Sequence, residues 1–302
     1  MNCIIANKYE IIEEVGQGTF GKVFRGKHIR TNEDVAIKIQ FKSILNVLQH
    51  EAKLYKHLEN SIGIPTMRNY GHEEGFHYLI LDYLDKPLDK LKMTPSECIS
   101  YFIEAVNVLE TIHTLGILHR DIKPDNLMIK ERSHNANQLY IIDFGLSKWF
   151  LDSSGNHMKE KTTKTMVGTI KYSSINVHNG IEPSRRDDLE SLCYTFMSLY
   201  GKELMWVNVC EELKRIDETD ETQEPKKKLV CEKIKTLKLE DTLFFELPDE
   251  FQTIVFYVRN LSFEEKPNYK YIINVLKKSV STGSDTLEPT AKGSNKEDYN
   301  GV

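Results

Sequence analysis

A glycine-rich segment between two alternating stretches is the feature that most constrains the fold of this chain. Residues 9–15 alternate apolar and polar side chains, which is typical of a half-buried strand. Gly16-Gln17-Gly18-Thr19-Phe20-Gly21 follows, and residues 23–28 alternate again. Dinucleotide-binding folds also use a G-x-G-x-x-G pattern, but there a helix follows it. The second alternating stretch therefore predicts a β-hairpin with glycines at its tip, where backbone N–H groups can approach a phosphate closely.

A lysine inside the next apolar stretch is the second informative feature. Val35-Ala36-Ile37-Lys38-Ile39 predicts a strand, and an exposed edge position would be the ordinary explanation of Lys38. After a glycine hairpin, however, a V-A-I-K string is typical of a lysine that binds nucleotide phosphates. Such a lysine needs an anionic partner, because burial otherwise favours its neutral form. In the predicted helix from residue 44 to 58 we expect this partner to be Glu51, whereas Glu59 at the helix end is the solvated competitor.

The segment Leu118-His119-Arg120-Asp121-Ile122-Lys123-Pro124-Asp125-Asn126 places an acid, a lysine and an amide in one short loop. Pro-Asp-Asn is also common turn chemistry, so this loop alone supports a functional interpretation only modestly. In that interpretation Asp121 accepts the proton of an attacking hydroxyl, and Lys123 neutralises charge on a moving phosphoryl group. Asn126 offers an oxygen to Mg²⁺, a hard cation that prefers oxygen ligands. His119 is expected to be a packing and hydrogen-bonding residue.

A second acid follows the apolar stretch from residue 139 to 142, in the string Asp143-Phe144-Gly145. A carboxylate at the end of a buried strand is costly without a partner. A magnesium ion bridging phosphates would supply that partner, and Mg²⁺ is commonly held by one or two protein oxygens together with phosphates and water. The sequence therefore predicts Asn126 and Asp143 as the two metal ligands.

The predicted nucleotide site extends to the connection between two lobes. The apolar strand at residues 76–81 leads into Asp82-Tyr83-Leu84-Asp85, where we expect adenine to bind the backbone near Asp82 and Leu84. Four apolar positions predicted as walls of the site are equally explicable as core. The whole predicted set is Val15, Gly16, Gln17, Gly18, Thr19, Gly21, Val23, Ala36, Lys38, Glu51, Leu81, Asp82, Leu84, Met128 and Asp143.

The second half of the chain predicts mainly helices. Thr94-Pro95-Ser96-Glu97 is a capping box with proline at the first helical position, and an amphipathic stripe follows it. Residues 189–199 are apolar enough for a buried helix. Asp188, just before this stretch, is placed to bind the backbone of the loop that contains Asp121.

Bulk properties limit the remaining possibilities. A length of 302 residues suggests two domains, or two lobes that share one cleft. The net charge of −5 gives no support to a general nucleic-acid-binding role. The five cysteines lack metal-ligand spacing and are predicted to be free thiols in a reducing compartment. We expect no membrane span and no secretory signal, and hence a location in the cytoplasm or nucleus.

Taken in order, the motifs G-x-G-x-x-G-x-V, V-A-I-K, H-R-D-x-x-x-x-N and D-F-G resemble the protein kinase superfamily. Lys123, two residues after Asp121, resembles the serine/threonine kinases more than the tyrosine kinases. Three further strings resemble the casein kinase 1 family, and the resemblance covers about residues 8–278. These strings are Gly168-Thr169-Ile170-Lys171-Tyr172-Ser173-Ser174-Ile175-Asn176, Ser184-Arg185-Arg186-Asp187-Asp188-Leu189-Glu190-Ser191-Leu192 and Phe263-Glu264-Glu265-Lys266-Pro267-Asn268-Tyr269.

The resemblance implies an α+β bilobal fold. Residues 1–84 would form a small antiparallel β-sheet lobe with one main helix, and residues 85–278 a larger, mainly helical lobe. Residues 279–302 are rich in Ser, Thr, Gly, Asn and charge and are predicted to be a disordered tail. The implied activity is that of a monomeric serine/threonine kinase that uses Mg-ATP. The implied partners are protein substrates with acidic or phosphorylated sequences near the target hydroxyl.

The chain departs from the casein kinase 1 pattern at the expected substrate-anion site. Lys171 occupies the position of an arginine, and lysine offers a point charge in place of a fork. The second basic position falls on Val230, so Lys228 or Lys227 would have to complete the site. Two alternatives therefore stay open. One is a catalytically weak kinase-fold scaffold, and the other is a neighbouring kinase branch with a different substrate preference, such as the vaccinia-related kinases.

Overall fold

The computed structural model describes residues 3–18, 21–41, 46–131, 137–163, 166–216 and 221–282. The N-terminal lobe is an antiparallel sheet in the order β1-β2-β3-β4-β6-β5, covered by one helix. Its elements are β1 (Ile4–Ile5), β2 (Tyr9–Gly18), β3 (Gly21–His28), β4 (Asp34–Phe41), α1 (Val47–His57), β5 (Met67–Glu73) and β6 (Phe76–Asp82).

The C-terminal lobe is mainly helical, so the predicted α+β bilobal fold is confirmed. Its short strands form the sheets β10-β9-β7 and β11-β8. The strands are β7 (Lys86–Pro87), β8 (Ile117–Leu118), β9 (Leu127–Glu131), β10 (Asn137–Ile141) and β11 (Lys148–Trp149). The helices are α2 (Pro95–Thr114), α3 (Ile175–His178), α4 (Arg185–Leu199), α5 (Val207–Lys214), α6 (Glu224–Leu239), α7 (Asp249–Arg259) and α8 (Tyr269–Thr282).

Strand β4 places Lys38 by simple alternation. Successive side chains of a strand point to opposite faces of the sheet. Val35, Ile37 and Ile39 are buried in a small cluster with residues of β1, β2 and β6. The intervening Ala36 and Lys38 therefore lie on the other face, which is directed at the C-terminal lobe. The predicted strand is confirmed, and its alternation explains why a lysine is tolerated inside it.

Helix α1 presents a carboxylate on its buried face. Asn46 caps the N-terminus of this helix: its Oδ1 accepts a hydrogen bond from Gln49 N at 2.9 Å. Leu48, Glu51 and Tyr55 are spaced at three and four residues, so they lie on one side of the helix, and all three are buried. The helix begins later than residue 44, where we predicted it; residues 42–45 lie outside the described residues.

The core of the C-terminal lobe is built on α2, α4, α7 and α8. The predicted capping box at the start of α2 is present: Thr94 Oγ1 accepts from Glu97 N, and Glu97 Oε2 accepts from Thr94 N at 2.8 Å. Phe102 of α2 stacks on Phe196 of α4 with ring centroids 4.5 Å apart. This packing supplies a rigid base for the loop between β8 and β9, which contains Asp121.

The five cysteines are free thiols, as predicted. Cys98, Cys193, Cys210 and Cys231 are buried, and Cys3 is exposed.

The predicted C-terminal tail begins too early, because α8 continues through residues 279–282. The amphipathic pattern of that helix outweighs the polar composition that suggested a tail. Residues 283–302 lie outside the described residues. Within the described part of the chain, no helix has the length and apolar character that crossing a membrane requires.

We expect Thr94→Ala to lower the free energy of unfolding by about 1 kcal/mol, because Glu97 N loses its acceptor at the start of α2. Chemical denaturation followed by circular dichroism measures this change. Ser100→Ala is the matched control: Ser100 is exposed and its hydroxyl only donates to Ser96 O within the same helix. An equal loss in both variants would contradict the importance of the cap.

Candidate active site

The glycine-rich segment forms the hairpin that the sequence predicts. Gly18 of β2 pairs with Gly21 of β3, and the intervening Thr19 and Phe20 lie outside the described residues. At Gly21 the fold itself requires glycine, because its φ is +153° and a Cβ would lie 2.0 Å from Ile39 O. At Gly16 and Gly18 a Cβ would meet nothing within 4 Å. Contacts within the protein therefore do not explain why these two positions are glycine. Close approach of the backbone to a phosphate would explain it.

Lys38 is the meeting point of three elements. Its Nζ lies 2.7 Å from Glu51 Oε2 of α1 and 2.8 Å from Asp143 Oδ1 after β10. The first distance confirms Glu51 as the anionic partner, whereas Glu59 pairs with Lys56 at the surface. The side chain of Glu51 is only 1% exposed, that of Lys38 15% and that of Asp143 40%. The carboxylate of Asp143 is therefore the member of the group that solvent or a ligand can reach.

The electrostatics of this group favour a charged lysine. Burial alone would lower the pKa of Lys38, but the carboxylates of Glu51 and Asp143 outweigh it and raise this pKa. Burial would likewise raise the pKa of Asp143, yet Lys38 outweighs it and holds that pKa below its ordinary value. For Glu51, which is fully enclosed, burial dominates and raises the pKa. Asp143 is thus the carboxylate that stays ionised and available to a cation.

Tyr55 is a positioning residue that the sequence analysis missed. Its hydroxyl accepts a hydrogen bond from Asp143 N at 3.2 Å, and its ring packs edge-on against Phe144 with centroids 5.0 Å apart. Tyr55 follows Glu51 by four residues, so both side chains leave the same face of α1. That spacing is the signal that could have identified it. Through these contacts α1 holds both Lys38 and the backbone of the Asp-Phe-Gly string.

Asp121 is held by side chains from two segments. Its Oδ1 accepts from Thr169 Oγ1 at 2.7 Å, and its Oδ2 lies 2.8 Å from Lys123 Nζ. Lys123 Nζ also donates to Thr169 Oγ1 at 3.2 Å. Asn126 Nδ2 donates to Asp121 O at 2.8 Å, which leaves Asn126 Oδ1 as the amide atom free to bind a cation. The residues predicted for this loop therefore form one hydrogen-bonded unit.

Asp188 fixes the backbone of the same loop, as the sequence predicted. Its two carboxylate oxygens accept from His119 N at 2.7 Å and from Arg120 N at 2.8 Å, and its Oδ2 also contacts His113 Nε2 at 3.0 Å. Burial would raise the pKa of Asp188, but these partners, His113 first, lower it. His119 is fully buried, with Nε2 2.9 Å from Ile142 O, so its predicted structural role is confirmed.

Strained backbone marks both acid-bearing segments. Arg120 has a φ of +67° and Asp143 a φ of +66°, in the left-handed region that non-glycine residues rarely adopt. Such conformations persist only where the surroundings fix them, and they are concentrated at functional sites. Here Asp188 fixes the backbone of Arg120, and Tyr55 fixes that of Asp143.

Glu182 is another residue that the sequence analysis missed. Its carboxylate lies 3.5 Å from Arg120 Nη1 and 2.5 Å from Lys148 Nζ.

All described residues of the predicted nucleotide and catalytic set line one cleft of about 590 Å³ between the lobes. Thr19 lies outside the described residues. The N–H of Asp82 already donates to Thr66 O at 3.0 Å, so a hydrogen bond from this residue to adenine would use its carbonyl. Lining residues that the sequence analysis did not assign to the site are Tyr55, Pro65, Tyr83, Asp85, Pro87, Asp89, Lys90, Asp125, Ile142 and Leu146.

The donor set fits magnesium bound together with phosphates. Among the described residues, no group of three or more His, Cys, Asp or Glu side chains could hold a metal ion by itself. Asn126 Oδ1 and Asp143 are two hard oxygen ligands on the same cleft. Mg²⁺ keeps several waters and is commonly bound by one or two protein oxygens plus substrate phosphates. The site therefore suits a nucleotide-bound Mg²⁺ better than a resident metal ion.

The predicted anion site is placed differently from the nucleotide site. Lys171 lines a pocket of about 270 Å³ that also contains Asp89 and Asp125, and its Nζ lies 5.0 Å from the centre of the Tyr172 ring. Lys228 is exposed on α6 and is not among the described residues that line this pocket. Val230, at the position of the second basic residue, is buried and 5% exposed. Lys171 thus has two acids beside it in the pocket.

The fold is bilobal, with a cleft lined in part by polar side chains between a β-sheet lobe and a helical lobe. The family model for the protein kinase domain matches residues 9–276, and the chain belongs to this family. It is therefore a protein kinase by family, and the phosphoryl donor of that family is ATP.

We expect Glu51→Gln to lower kcat/KM for ATP by roughly 10- to 100-fold, because Lys38 loses the carboxylate that holds it toward the cleft. The fold should tolerate the change, since burial already disfavours the charge of Glu51. Steady-state kinetics with varied ATP measure the effect. Glu59→Gln is the control: Glu59 is exposed just after the end of α1 and pairs with Lys56, so this variant should leave kcat/KM unchanged. Equal effects of the two variants would disprove the pairing role of Glu51.

Proposed function

We propose that this protein is a serine/threonine protein kinase of casein kinase 1 type. In this proposal it transfers the γ-phosphate of Mg-ATP to Ser or Thr hydroxyls of acidic or already phosphorylated protein substrates. The observation that carries the proposal is the convergence of Lys38, Asp121, Asn126 and Asp143 on one cleft beneath a glycine-tipped hairpin. We further propose that it acts as a monomer in the cytoplasm or nucleus.

Each polar residue of the cleft has a distinct role in this reaction. When bound, Mg²⁺ supplies a positive charge that neutralises the phosphate oxygens. Lys38, held by Glu51, would bind the α- and β-phosphates, which leave as part of ADP, and Asn126 and Asp143 would offer oxygens to the metal. Asp121 aligns the substrate hydroxyl and accepts its proton as that oxygen bonds to the γ-phosphorus and the bond from this phosphorus to the β-phosphate oxygen breaks.

The contacts of Lys123 support a role in phosphoryl transfer. Lys123 Nζ contacts both Asp121 Oδ2 and Thr169 Oγ1, so its charge lies within hydrogen-bonding distance of the proposed base. A cation at this point stabilises negative charge on the phosphoryl group during transfer. The preference for serine and threonine is proposed from the resemblance of this lysine to that of serine/threonine kinases.

The pocket around Lys171 favours keeping a second candidate for substrate preference. Asp125 would repel an acidic or phosphorylated side chain that approaches Lys171, and Asp89, which pairs with Lys90 at 3.2 Å, would add less. A kinase of a neighbouring branch, with weaker selection for acidic substrates, would be consistent with this mixture of charges. The transfer chemistry is the same in both candidates, because the residues of the nucleotide cleft are unaffected.

Asp121→Asn and Lys38→Met should each abolish phosphorylation of an acidic, casein-like peptide, because the first removes the proton acceptor and the second the phosphate-binding cation. A radiometric transfer assay measures the loss, and thermal melts check that the variants are folded. Lys53→Met, on the exposed side of α1, is the matched control and should keep full activity. Normal turnover by either site variant would overturn these assignments, and a wild-type protein that binds nucleotide without any transfer would support the scaffold alternative.

A peptide panel with primed, acidic, neutral and basic sequences separates the two candidates for substrate preference. If Lys171 is the anion site, Lys171→Ala should raise KM for primed and acidic peptides by about tenfold and leave KM for neutral peptides unchanged. Lys228→Ala tests whether Lys228 is the second basic residue of this site, and it should have a smaller effect. Equal KM values for all peptides in the wild type would favour the neighbouring-branch candidate.

A further inference from the structure

A fully buried lysine outside the nucleotide cleft has no role in the chemistry described so far. Lys238 of α6 is 0% exposed, and it forms no ion pair with a carboxylate within the described part of the chain. Removing an amine from water is costly unless its hydrogen-bonding capacity is used. Burial accordingly lowers the pKa of Lys238 to about 7. A side chain kept at such a cost calls for an account of what its contacts achieve.

The amine of Lys238 contacts the stretch from Ser173 to His178. This stretch follows closely after Thr169, whose hydroxyl donates to Asp121. The Nζ of Lys238 donates to Ser173 O, and it lies 3.1 Å from Nε2 of His178 in α3. Burial and the nearby Lys238 lower the pKa of His178 to about 2, so its ring is neutral and Nε2 can accept a hydrogen bond. An amine with two such acceptors donates to both whether it is protonated or neutral. These contacts therefore do not depend on the charge of Lys238.

Aromatic rings and a second donor complete the attachment. The Nζ of Lys238 lies 4.7 Å from the centre of the Tyr194 ring and 5.0 Å from that of Trp206. Trp206 in turn donates from Nε1 to Lys171 O at 2.7 Å. Lys238 and Trp206 thus bind two carbonyls, Ser173 O and Lys171 O, of the same short stretch of backbone.

That stretch is a compact turn, residues 169–173, which we call the substrate turn. Its closure is local: Tyr172 N donates to Thr169 O at 2.9 Å, and Ser173 N to the same oxygen at 3.1 Å. At its other end Thr169 Oγ1 donates to Asp121 Oδ1. Lys171 and Tyr172 of the turn line the pocket that also contains Asp125. Displacement of the turn would therefore move the residues that line this pocket. It would also move the Thr169 hydroxyl that donates to Asp121.

The base from which Lys238 reaches the turn is itself fixed. Arg259 of α7 donates from Nη2 to Lys238 O at 2.8 Å, and its Nε lies 3.1 Å from Glu190 Oε1 of α4. Tyr194 Oη donates to the same Glu190 oxygen and accepts from Arg259 Nη2 at 2.7 Å. Helices α4 and α7 therefore hold the backbone of Lys238, which belongs to α6, in place. The remaining charged or titratable groups that influence it are Cys210 and Cys231.

We propose that Lys238 and Trp206 are positioning residues that fix the substrate turn against the C-terminal lobe, and so set the affinity for the protein substrate. Both residues hold the turn through hydrogen bonds to its main-chain carbonyls. These bonds do not depend on which side chains the turn carries. The nucleotide cleft does not include either residue among its lining. The kinetic part of the proposal rests on the proposed function, because it is read through phosphoryl transfer to a peptide.

The test compares Lys238→Met and Trp206→Phe with Lys233→Met. Lys238→Met keeps the chain length and removes the donors; Trp206→Phe keeps an aromatic ring and removes Nε1–H. Lys233 lies on the same helix but is exposed and only weakly paired with Glu212 at 3.7 Å. For the two site variants we expect KM for the peptide to rise about tenfold, while the dissociation constant of ATP stays within about twofold. Lys233→Met should change neither value.

Hydrogen–deuterium exchange of the intact protein provides a readout that needs no turnover. The amides of residues 172–178 should exchange about tenfold faster in Lys238→Met, whereas those of β3 and β4 keep the wild-type rate. If Lys238→Met does not fold, Trp206→Phe carries both measurements. An unchanged peptide KM with unchanged exchange would overturn the proposal, as would an equal loss of ATP affinity, which indicates general destabilisation. A wild-type protein that phosphorylates no peptide would contradict the proposed function, and the exchange data would still decide the role of Lys238.

Discussion

The two lobes meet at a buried ion pair of the N-terminal lobe, between Lys38 and Glu51, to which Asp143 of the C-terminal lobe adds a third charge. A buried pair is stabilising only if its geometry is good and its remaining hydrogen-bonding capacity is met, because both charges lose their hydration. Removing one partner leaves the other charge uncompensated unless a third group pairs with it, as Asp143 does with Lys38. Strand β4, helix α1 and the segment after β10 must therefore come together at the same point, or none of the three positions is favourable. Tyr55 strengthens this coupling, because it connects α1 directly to Asp143 N.

The C-terminal lobe solves a different problem, which is to hold strained backbone. Arg120 and Asp143 adopt left-handed conformations that cost of order 1–3 kcal/mol each. Asp188 offsets part of that cost by accepting two main-chain N–H groups of the loop, and it can do so because the buried start of α4 presents its carboxylate there. The strain places Asp121 and Asp143 at the cleft. It is tolerated because helices α2 and α4 form a rigid base.

The sequence predicted those parts of the site that depend on local patterns. Alternation predicted the hairpin, the V-A-I-K string predicted the strand with Lys38, and the position of Glu59 at the helix end distinguished it from Glu51. The sequence did not predict the roles of Tyr55, Glu182 and Lys238, because these roles arise from contacts between segments far apart in the chain. Lys238, for example, binds Ser173, which lies 65 residues earlier. The tail boundary was wrong for a related reason. Composition at residues 279–282 suggested a tail, whereas the amphipathic continuation of α8 keeps these residues helical.

The nucleotide cleft and the pocket around Lys171 are thus stabilised by different physics. On the nucleotide side, charges determine the geometry, so a substitution there changes chemistry. On the substrate side, hydrogen bonds from the buried Lys238 and Trp206 hold main-chain carbonyls of the substrate turn. Main-chain carbonyls are present whatever the side chain, so Lys171 can replace another residue without loss of the turn. Under the proposed function, this division lets the turn keep its position while its side chains, Lys171 among them, determine substrate choice.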